Sequence, residues 1–189
     1  MDKPVMIMVG GLPGSGKSTL AQAIAEAMDV VVVRSDEVRK EMVGLKHTEA
    51  APASLYATAV SVATYAEVLR RARVALNEGR SVVVDATWSK AVSRTPAREL
   101  AQEMQVHLLE VCCLASHEVM VARLTERTKE GAHASDAGVA VMEAMGWDDW
   151  PEAVEIDTAV EMDELKATAQ ALAVMVKVMV ATRTFDEIG

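Results

Sequence analysis

Residues 11–18 read Gly-Leu-Pro-Gly-Ser-Gly-Lys-Ser, which is a complete G-x-x-x-x-G-K-[ST] phosphate-binding motif. The motif follows an apolar run, Val5–Val9, and precedes a helix-forming stretch, Thr19–Met28. In this order of strand, glycine-rich turn and helix, backbone N–H groups turn inward around an anion and the helix directs its positive end at it. The stretch therefore predicts a site for a nucleoside triphosphate.

Two side chains of the loop have expected roles. Lys17 is placed to reach the β- and γ-phosphates, and the Ser18 hydroxyl is placed to bind Mg²⁺. The residues expected to hold ATP are Gly11, Leu12, Pro13, Gly14, Ser15, Gly16, Lys17, Ser18 and Thr19.

Composition restricts the class of protein. The 189 residues are 51% hydrophobic but only 3% aromatic, so the core has to be built from Val, Ala, Leu and Met. The length fits one domain, and we find neither a repeat nor a linker, so residues 1–189 are expected to form a single domain. The net charge of −9 disfavours broad binding to nucleic acid, because an acidic surface repels phosphate backbones. The net charge does not exclude a local basic groove.

The cysteines and the chain termini indicate a reducing compartment. Cys112 and Cys113 are adjacent in an apolar run, and neighbours in a strand point to opposite faces, so a disulfide between them is geometrically poor. The N-terminus carries no basic region or cleavage site, and Lys177 interrupts the longest apolar stretch. We expect a cytoplasmic protein that does not enter a membrane.

Apolar runs alternate with helix-forming segments along the chain, which predicts βαβ units and a parallel sheet with helices on both faces. Ligands of such sheets bind beyond the carboxyl ends of the strands. The phosphate loop, Asp36 and Asp85 each follow a predicted strand, so we expect all three at one edge of the sheet. The predicted strands are Val5–Val9, Val30–Val33, Ser81–Val84, Val106–Leu114 and Ala153–Ile156. A long helix is predicted over Leu55–Asn77, ended by Gly79 at a C′ position.

Two further motifs carry a resemblance to a known family. Arg34-Ser35-Asp36-Glu37-Val38-Arg39 follows the second strand, and Val82-Val83-Val84-Asp85-Ala86-Thr87 includes the third. With the phosphate loop, they resemble the small P-loop kinases. The nearest branch contains phage polynucleotide kinase, zeta toxins, chloramphenicol phosphotransferase and the ATP-binding domains fused to aminoglycoside-phosphotransferase-like proteins. The resemblance covers residues 5–158. It implies a three-layer αβα P-loop NTPase fold, a five-stranded parallel sheet, a small lid, and ATP-dependent transfer of a phosphate to a hydroxyl.

The Asp-x-x-Arg pattern formed by Asp36 and Arg39 points to the acceptor. In family members with this pattern the aspartate faces the acceptor hydroxyl, and a carboxylate there can orient the hydroxyl and accept its proton. Arg39, one turn later, can hold an anionic group of the acceptor. The alternative is that Asp36 only stabilises the positive end of its helix and Arg39 belongs to a solvated ion pair.

Asp85 matches the acidic residue that ends the strand beside the phosphate loop. There it would bind Mg²⁺ through water or orient the substrate; alternatively it caps the turn 87–89. Trp88 either shields the site or stacks on an acceptor ring, or it is a structural tryptophan. The acidic segment Trp147–Pro151 is expected to pack a loop onto the domain.

A lid is expected near residues 128–136. Arg123 and Arg127 share a face of the preceding helix, and arginines at this place in P-loop kinases close over the triphosphate and neutralise the transferring phosphoryl group. Arg127, nearer the lid, is the stronger candidate for catalysis. The alternative is a solvated face on which the arginines pair with Glu126 or Glu130. A final helix is expected over 161–182.

Three functions remain open at this stage. The first is a kinase that uses MgATP to phosphorylate a small-molecule or nucleoside-type hydroxyl acceptor; separately, no feature of the sequence excludes a zeta-toxin-like activity on a nucleotide sugar. The second is a polynucleotide 5′-hydroxyl kinase, which needs a basic channel that the acidic composition disfavours. The third is an ATP-binding switch without a phosphoacceptor. The sequence carries no indication of the oligomeric state.

Overall fold

A parallel five-stranded sheet organises the computed structural model, which describes residues 3–49, 52–129 and 138–186. The strands of the described residues are β1 (Val5–Gly10), β2 (Val31–Arg34), β3 (Val82–Asp85), β4 (His107–Leu114) and β5 (Val154–Asp157). They lie in the order β2-β3-β1-β4-β5, and each neighbouring pair is parallel. The predicted α/β class and parallel sheet are therefore confirmed.

Helices cover both faces of the sheet. They are α1 (Lys17–Met28), α2 (Ser35–Glu41), α3 (Thr58–Asn77), α4 (Ala91–Glu103), α5 (His117–Lys129), α6 (Val139–Ala144) and α7 (Met162–Asp186), with a 3₁₀ helix at Ala53–Tyr56. The structure therefore has the three αβα layers of the expected fold.

The alternation of side chains along β1 divides the core into two clusters. Met6 and Met8 pack on the face covered by α3 and α4, whereas Ile7 and Val9 pack on the face covered by α1 and α7. All four are fully buried, since β1 lies at the centre of the sheet. A strand buried on both faces has to be apolar throughout, which explains the run that precedes the phosphate loop.

Several helix boundaries differ from the sequence-based expectation. Helix α1 begins at Lys17 and not at Thr19, because the glycine loop itself delivers the chain into the helix. The single helix expected over Leu55–Asn77 is wrong at its start: Ala57 is extended, with φ −59° and ψ 148°, and separates the 3₁₀ helix from α3. Gly79, with φ +73°, follows the end of α3 at the expected C′ position.

The remaining structural expectations fall on the second half of the chain. Cys112 and Cys113 are both buried free thiols, one in each core cluster, and burial raises the pKa of Cys112 to about 11.

The closing helix, expected over 161–182, is α7. No helix within the described residues is long and apolar enough to span a lipid bilayer. The first two residues of the predicted lid, 128–136, end α5, and the rest of it lies outside the described residues.

Candidate active site

The phosphate loop connects β1 to α1 at the carboxyl edge of the sheet. Gly14 and Gly16 have φ of +83° and +82°, a left-handed conformation that glycine adopts without strain. Gly16 is the N-cap residue of α1, and its carbonyl accepts hydrogen bonds from the N–H groups of Thr19 at 3.1 Å and Leu20 at 3.0 Å. The loop therefore has the local backbone geometry of an anion-binding nest at a helix N-terminus.

Asp85, the last residue of β3, lies beside this loop and is 3% exposed. Its carboxylate accepts a hydrogen bond from the hydroxyl of Ser18. Burial raises the pKa of Asp85 above its ordinary value; Lys17, the Ser18 hydrogen bond and Arg34 lower it, and nearby Asp36 raises it. The buried carboxylate of Asp85 thus interacts with Lys17 and Ser18 of the phosphate loop, with Arg34 at the end of β2 and with Asp36 at the start of α2.

Asp36 lies in the first turn of α2, and Arg34 is the N-cap residue of that helix. The side chain of Asp36 is 28% exposed, and its Oδ2 is 3.6 Å from the Nζ of Lys40 one turn later. Lys40 is fully buried and donates a hydrogen bond of 3.1 Å to the carbonyl of His47. Lys40 therefore links the candidate acceptor-facing carboxylate to the loop that follows α2.

Arg34 connects the same carboxylates to α1. Its Nε lies 3.8 Å from Oδ2 of Asp85, its Nη1 donates to Glu37 at 3.2 Å, and its Nη2 donates to Gln22 at 2.6 Å. A cation at this position offsets part of the negative charge that Asp36 and Asp85 bring to the edge of the sheet.

Arg39 is buried, at 8% exposure, beneath the 3₁₀ helix. Its guanidinium carbon lies 4.7 Å from the ring centroid of Tyr56, a cation–π distance. The Nε of Arg39 is buried and has no hydrogen-bond partner among the described residues. A desolvated guanidinium with a spare donor is an uncommon arrangement, because arginine is rarely buried without full pairing.

Arg123 and Arg127 both lie on α5, but only the contacts of Arg123 with the phosphate loop are defined by the described residues. Arg123 donates from Nη1 to the carbonyl of Gly14 at 3.2 Å and from Nη2 to the carbonyl of Thr158 at 2.7 Å. Arg127 is half-buried two residues before the end of α5, at the boundary of the predicted lid. The structure thus brings Arg123 onto the phosphate loop through backbone carbonyls. The prediction that either arginine contacts phosphate stays a prediction.

Trp88 is a core residue and presents no face to a ligand. It is 0% exposed, has φ +54°, and its ring packs 4.9 Å from that of Tyr65. Its backbone N–H donates to the hydroxyl of Tyr65 at 3.0 Å, and the neighbouring carbonyl of Thr87 accepts from the backbone N–H of Gly11 at 3.1 Å. The turn after β3 is thus held by α3 and by the phosphate loop.

The acidic segment Trp147–Pro151 packs onto the domain as expected, through the buried Arg94. That guanidinium donates to the carbonyls of Trp88 and Asp148, both at 3.2 Å, and to the carbonyl of Asp149 at 2.6 Å. It also lies 5.0 Å from the ring of Trp150, whose indole N–H donates to Glu110. The Trp150 ring rests on Gly10, the last residue of β1: a Cβ there would be 2.3 Å from ring atom Cζ3.

Gly10→Ala is therefore expected to lower the free energy of unfolding by about 1–3 kcal/mol, since the added methyl group has to displace a packed indole. Urea denaturation followed by circular dichroism measures this change. Gly138→Ala is the matched control, because no atom of the described residues lies within 4 Å of a Cβ at Gly138. Its cost is expected to stay under about 1 kcal/mol, that of an N-cap change. Equal stabilities of the two variants would contradict the assigned contact.

Two oxygen donors, from Ser18 and Asp85, lie at the junction of the phosphate loop and β3. Within the described ranges, no group of three or more His, Cys, Asp or Glu side chains is arranged to hold an ion. Ser18 and Asp85 supply a hydroxyl and a carboxylate in contact, which are the hard oxygen ligands that Mg²⁺ takes when it shares its shell with substrate phosphates and water. The donor set therefore fits Mg²⁺.

Sequence reasoning missed three residues of this arrangement: Arg34, Lys40 and Thr158. Arg34 is part of the motif 34–39, but no role was predicted for it. Its place at the end of a strand, two residues before Asp36, would have indicated a cation beside the carboxylates of the site. Lys40 is one turn beyond Asp36, and its burial was not foreseeable from a lysine next to an arginine. Thr158, directly after β5, lies far along the chain from the loop that it contacts.

The family model described as an AAA domain matches residues 6–146 of this chain. The chain belongs to this AAA domain family. The AAA domain is 37% identical over 158 residues to uncharacterized proteins of Mycobacterium tuberculosis and Mycobacterium bovis, in alignments that cover 82% of the chain and 32% of each relative. It spans about a third of the length of these curated relatives.

Several solved structures similar to this chain carry the names of kinases. A kinase of Chloroflexus aurantiacus superposes with a TM-score of 0.71 at 21% identity, covering 93% of this chain and 99% of that one. A gluconokinase of Sinorhizobium meliloti has a TM-score of 0.66 at 25% identity, covering 96% and 99%. The APS kinase of Mycobacterium tuberculosis, solved with AMPPNP and APS, has a TM-score of 0.71 at 17% identity, covering 94% and 99%. The chain therefore has the fold of the small P-loop kinases, as its motifs indicated.

Proposed function

We propose that this chain transfers the γ-phosphoryl group of MgATP to a hydroxyl of a small-molecule acceptor. The observation that carries the proposal is the position of Asp85: this buried carboxylate lies near enough to Lys17 and Ser18 of the phosphate loop to be stabilised by them, and near enough to Asp36 of α2 to be repelled by it. A nucleotide-binding switch needs Lys17 and Ser18 but has no use for a second carboxylate, Asp36, near the first. Phosphoryl transfer needs both.

The donor side fits ATP. The loop offers the positive end of α1 and backbone N–H groups to the phosphates, and Lys17 adds a positive charge that moves with the transferring group. Ser18 and Asp85 would hold Mg²⁺, which supplies neutralisation of the charge on the β- and γ-phosphates. The buried surroundings of Asp85 strengthen these interactions, because the local dielectric constant is low.

The acceptor side is formed by Asp36 and Arg39. Asp36 orients the acceptor hydroxyl and takes its proton; the acceptor oxygen forms a bond to the γ-phosphorus, the bond from that phosphorus to the β,γ-bridging oxygen breaks, and ADP leaves. Arg39 would pair with an anionic group of the acceptor, which would supply the partner that its buried Nε lacks among the described residues.

The neighbours' names support a small acceptor. Gluconokinase, sugar kinase and APS kinase all act on small molecules, and two of those names refer to an anionic substrate. We infer an anionic or polyhydroxylated acceptor of similar size for this domain. Arg127 would then neutralise charge on the transferring phosphoryl group. Whatever further activity the longer mycobacterial relatives have would be additional to this reaction.

The test is ADP release by the purified protein with MgATP and a panel of hydroxyl compounds that includes sugar acids, sugars, nucleosides, nucleotide sugars and a 5′-hydroxyl oligonucleotide. ADP formation that depends on one small acceptor, with a phosphorylated product seen by mass spectrometry, is the expected result. Slow hydrolysis at the same rate with every compound would favour the switch. Salt-sensitive binding and phosphorylation of the oligonucleotide alone would favour an end kinase.

A further inference from the structure

The phosphate loop is held from outside by a residue at the other end of the chain. Thr158, the first residue after β5, is 2% exposed, and its hydroxyl donates to the carbonyl of Ser15. The same hydroxyl lies 2.9 Å from the carbonyl of Leu114, but that carbonyl already accepts the Thr158 N–H at 2.9 Å. The bond that only the hydroxyl can supply is therefore the one to the loop.

Arg123 completes the contact from α5. Its guanidinium bridges the carbonyl of Gly14 and the carbonyl of Thr158 itself, at 3.2 Å and 2.7 Å. Consecutive carbonyls of the loop, those of Gly14 and Ser15, are thus both engaged by groups outside the loop. The Ser15 hydroxyl is buried and has no hydrogen-bond partner among the described residues, so this residue is held through its backbone.

The orientation of these carbonyls determines the direction in which the backbone N–H groups of the loop point. In a trans peptide the C=O of one residue and the N–H of the next point in opposite directions, and the described chain contains no cis peptide bond. A Ser15 carbonyl turned toward Thr158 therefore turns the N–H of Gly16 away from Thr158. The N–H of Ser15 is used inside the loop, where it donates to Leu12 at 3.0 Å.

The close approach of this pair also explains why position 16 has to be glycine. A Cβ on Gly16 would lie 3.0 Å from the hydroxyl oxygen of Thr158 and 3.3 Å from Nη1 of Arg123, in addition to the strain at φ +82°. Thr158 and Arg123 thus occupy the space directly behind the peptide that presents its N–H to the anion.

We propose that Thr158 is a positioning residue of the triphosphate site, and that it acts with Arg123 by holding the Gly14 and Ser15 carbonyls outward so that the N–H of Gly16 faces the phosphates. The inference rests on the proposed nucleotide site. It gives Arg123 a role through the loop backbone, and leaves Arg127 as the arginine available to the transferring phosphoryl group.

The test is Thr158→Val, which keeps the size of the side chain and removes its donor, with Thr158→Ser as the matched variant that restores the hydroxyl. Calorimetry measures binding of Mg·AMPPNP and of adenosine to each. We expect Thr158→Val to weaken AMPPNP binding about tenfold, the effect of losing one hydrogen bond, and to leave adenosine binding unchanged. Thr158→Ser should bind AMPPNP within about threefold of the unmodified protein.

A role limited to stability would lower the melting temperature and weaken both ligands equally, and that result would overturn the proposal. So would AMPPNP binding by Thr158→Val equal to that of the unmodified protein. If Thr158→Val does not fold, the smaller Thr158→Ala replaces it with the same expected selectivity. Should the unmodified protein itself fail to bind AMPPNP, the proposed function fails; should only the Thr158 effect be missing, the function stands and the positioning role falls.

A double-mutant cycle with Arg123→Met separates the two ways in which Arg123 can act. If both residues act through the loop backbone, the combined variant should bind AMPPNP only about as weakly as the worse single variant. Additive losses would mean that Arg123 contacts the phosphates independently, and would contradict the shared role.

Discussion

Lys17→Ala is expected to lower kcat/KM for phosphoryl transfer by about 100- to 1,000-fold, the effect of removing one group that stabilises developing charge in a buried site. It should also abolish nucleotide-dependent thermal stabilisation. A ligand at 100 times its Kd contributes about 2.7 kcal/mol of stability. For a chain of this size that corresponds to a rise in melting temperature of roughly 5–10 °C.

Thermal denaturation with and without Mg·AMPPNP measures the second effect independently of catalysis. Lys177→Ala is the matched control, because it removes the same charge from an exposed position on α7. The control should keep the full rise in melting temperature. If Lys17→Ala shows the same rise, the phosphates do not bind at this loop.

Asp36→Asn is expected to lower acceptor-dependent kcat by about 100- to 10,000-fold, the range for loss of a general base, while the Kd for AMPPNP changes little. The amide keeps the shape of the carboxylate and an oxygen that can accept from Lys40. The measurements are the rate of ADP formation with the acceptor found in the screen and the Kd from calorimetry.

Glu37→Gln is the control that separates catalysis from helix stabilisation. Glu37 occupies the same first turn of α2, carries the same charge and is half-buried, and Arg34 keeps its contacts with Asp85 and Gln22 when Glu37 is neutralised. If Asp36 only stabilised the positive end of the helix, both variants would lose activity alike. A large loss confined to Asp36→Asn supports the acceptor-facing role, and an equal loss in both would remove it.

The elements around the site were predictable because local sequence determines them. The phosphate motif carries its own backbone conformation, and Asp85 ends an apolar run whose parallel pairing with β1 brings it beside that loop. Asp36 follows β2 in the same way. Because the strands of the sheet are parallel, their carboxyl ends lie at the same edge. The three motifs that follow these ends therefore lie together.

The contacts that hold the site were not predictable, because they join residues that no local pattern relates. Arg94 reads as an ordinary helix residue, yet it is buried with its guanidinium on three carbonyls. Trp88 carried both a ligand-binding and a structural interpretation, and only its packing against Tyr65 decided for the structural one. The roles of the site residues themselves stay predictions that the experiments above address.

The contact between Thr158 and Ser15 joins residues 143 positions apart, and that between Arg123 and Gly14 joins residues 109 positions apart. A ribosome releases the phosphate loop well before Arg123 and Thr158. During synthesis the nascent chain therefore carries the nucleotide motif for most of its length without the groups that shape it. Closing contacts of such high sequence separation is slow, so we expect the loop to reach its full affinity for the triphosphate only after β5 has docked on the edge of the sheet.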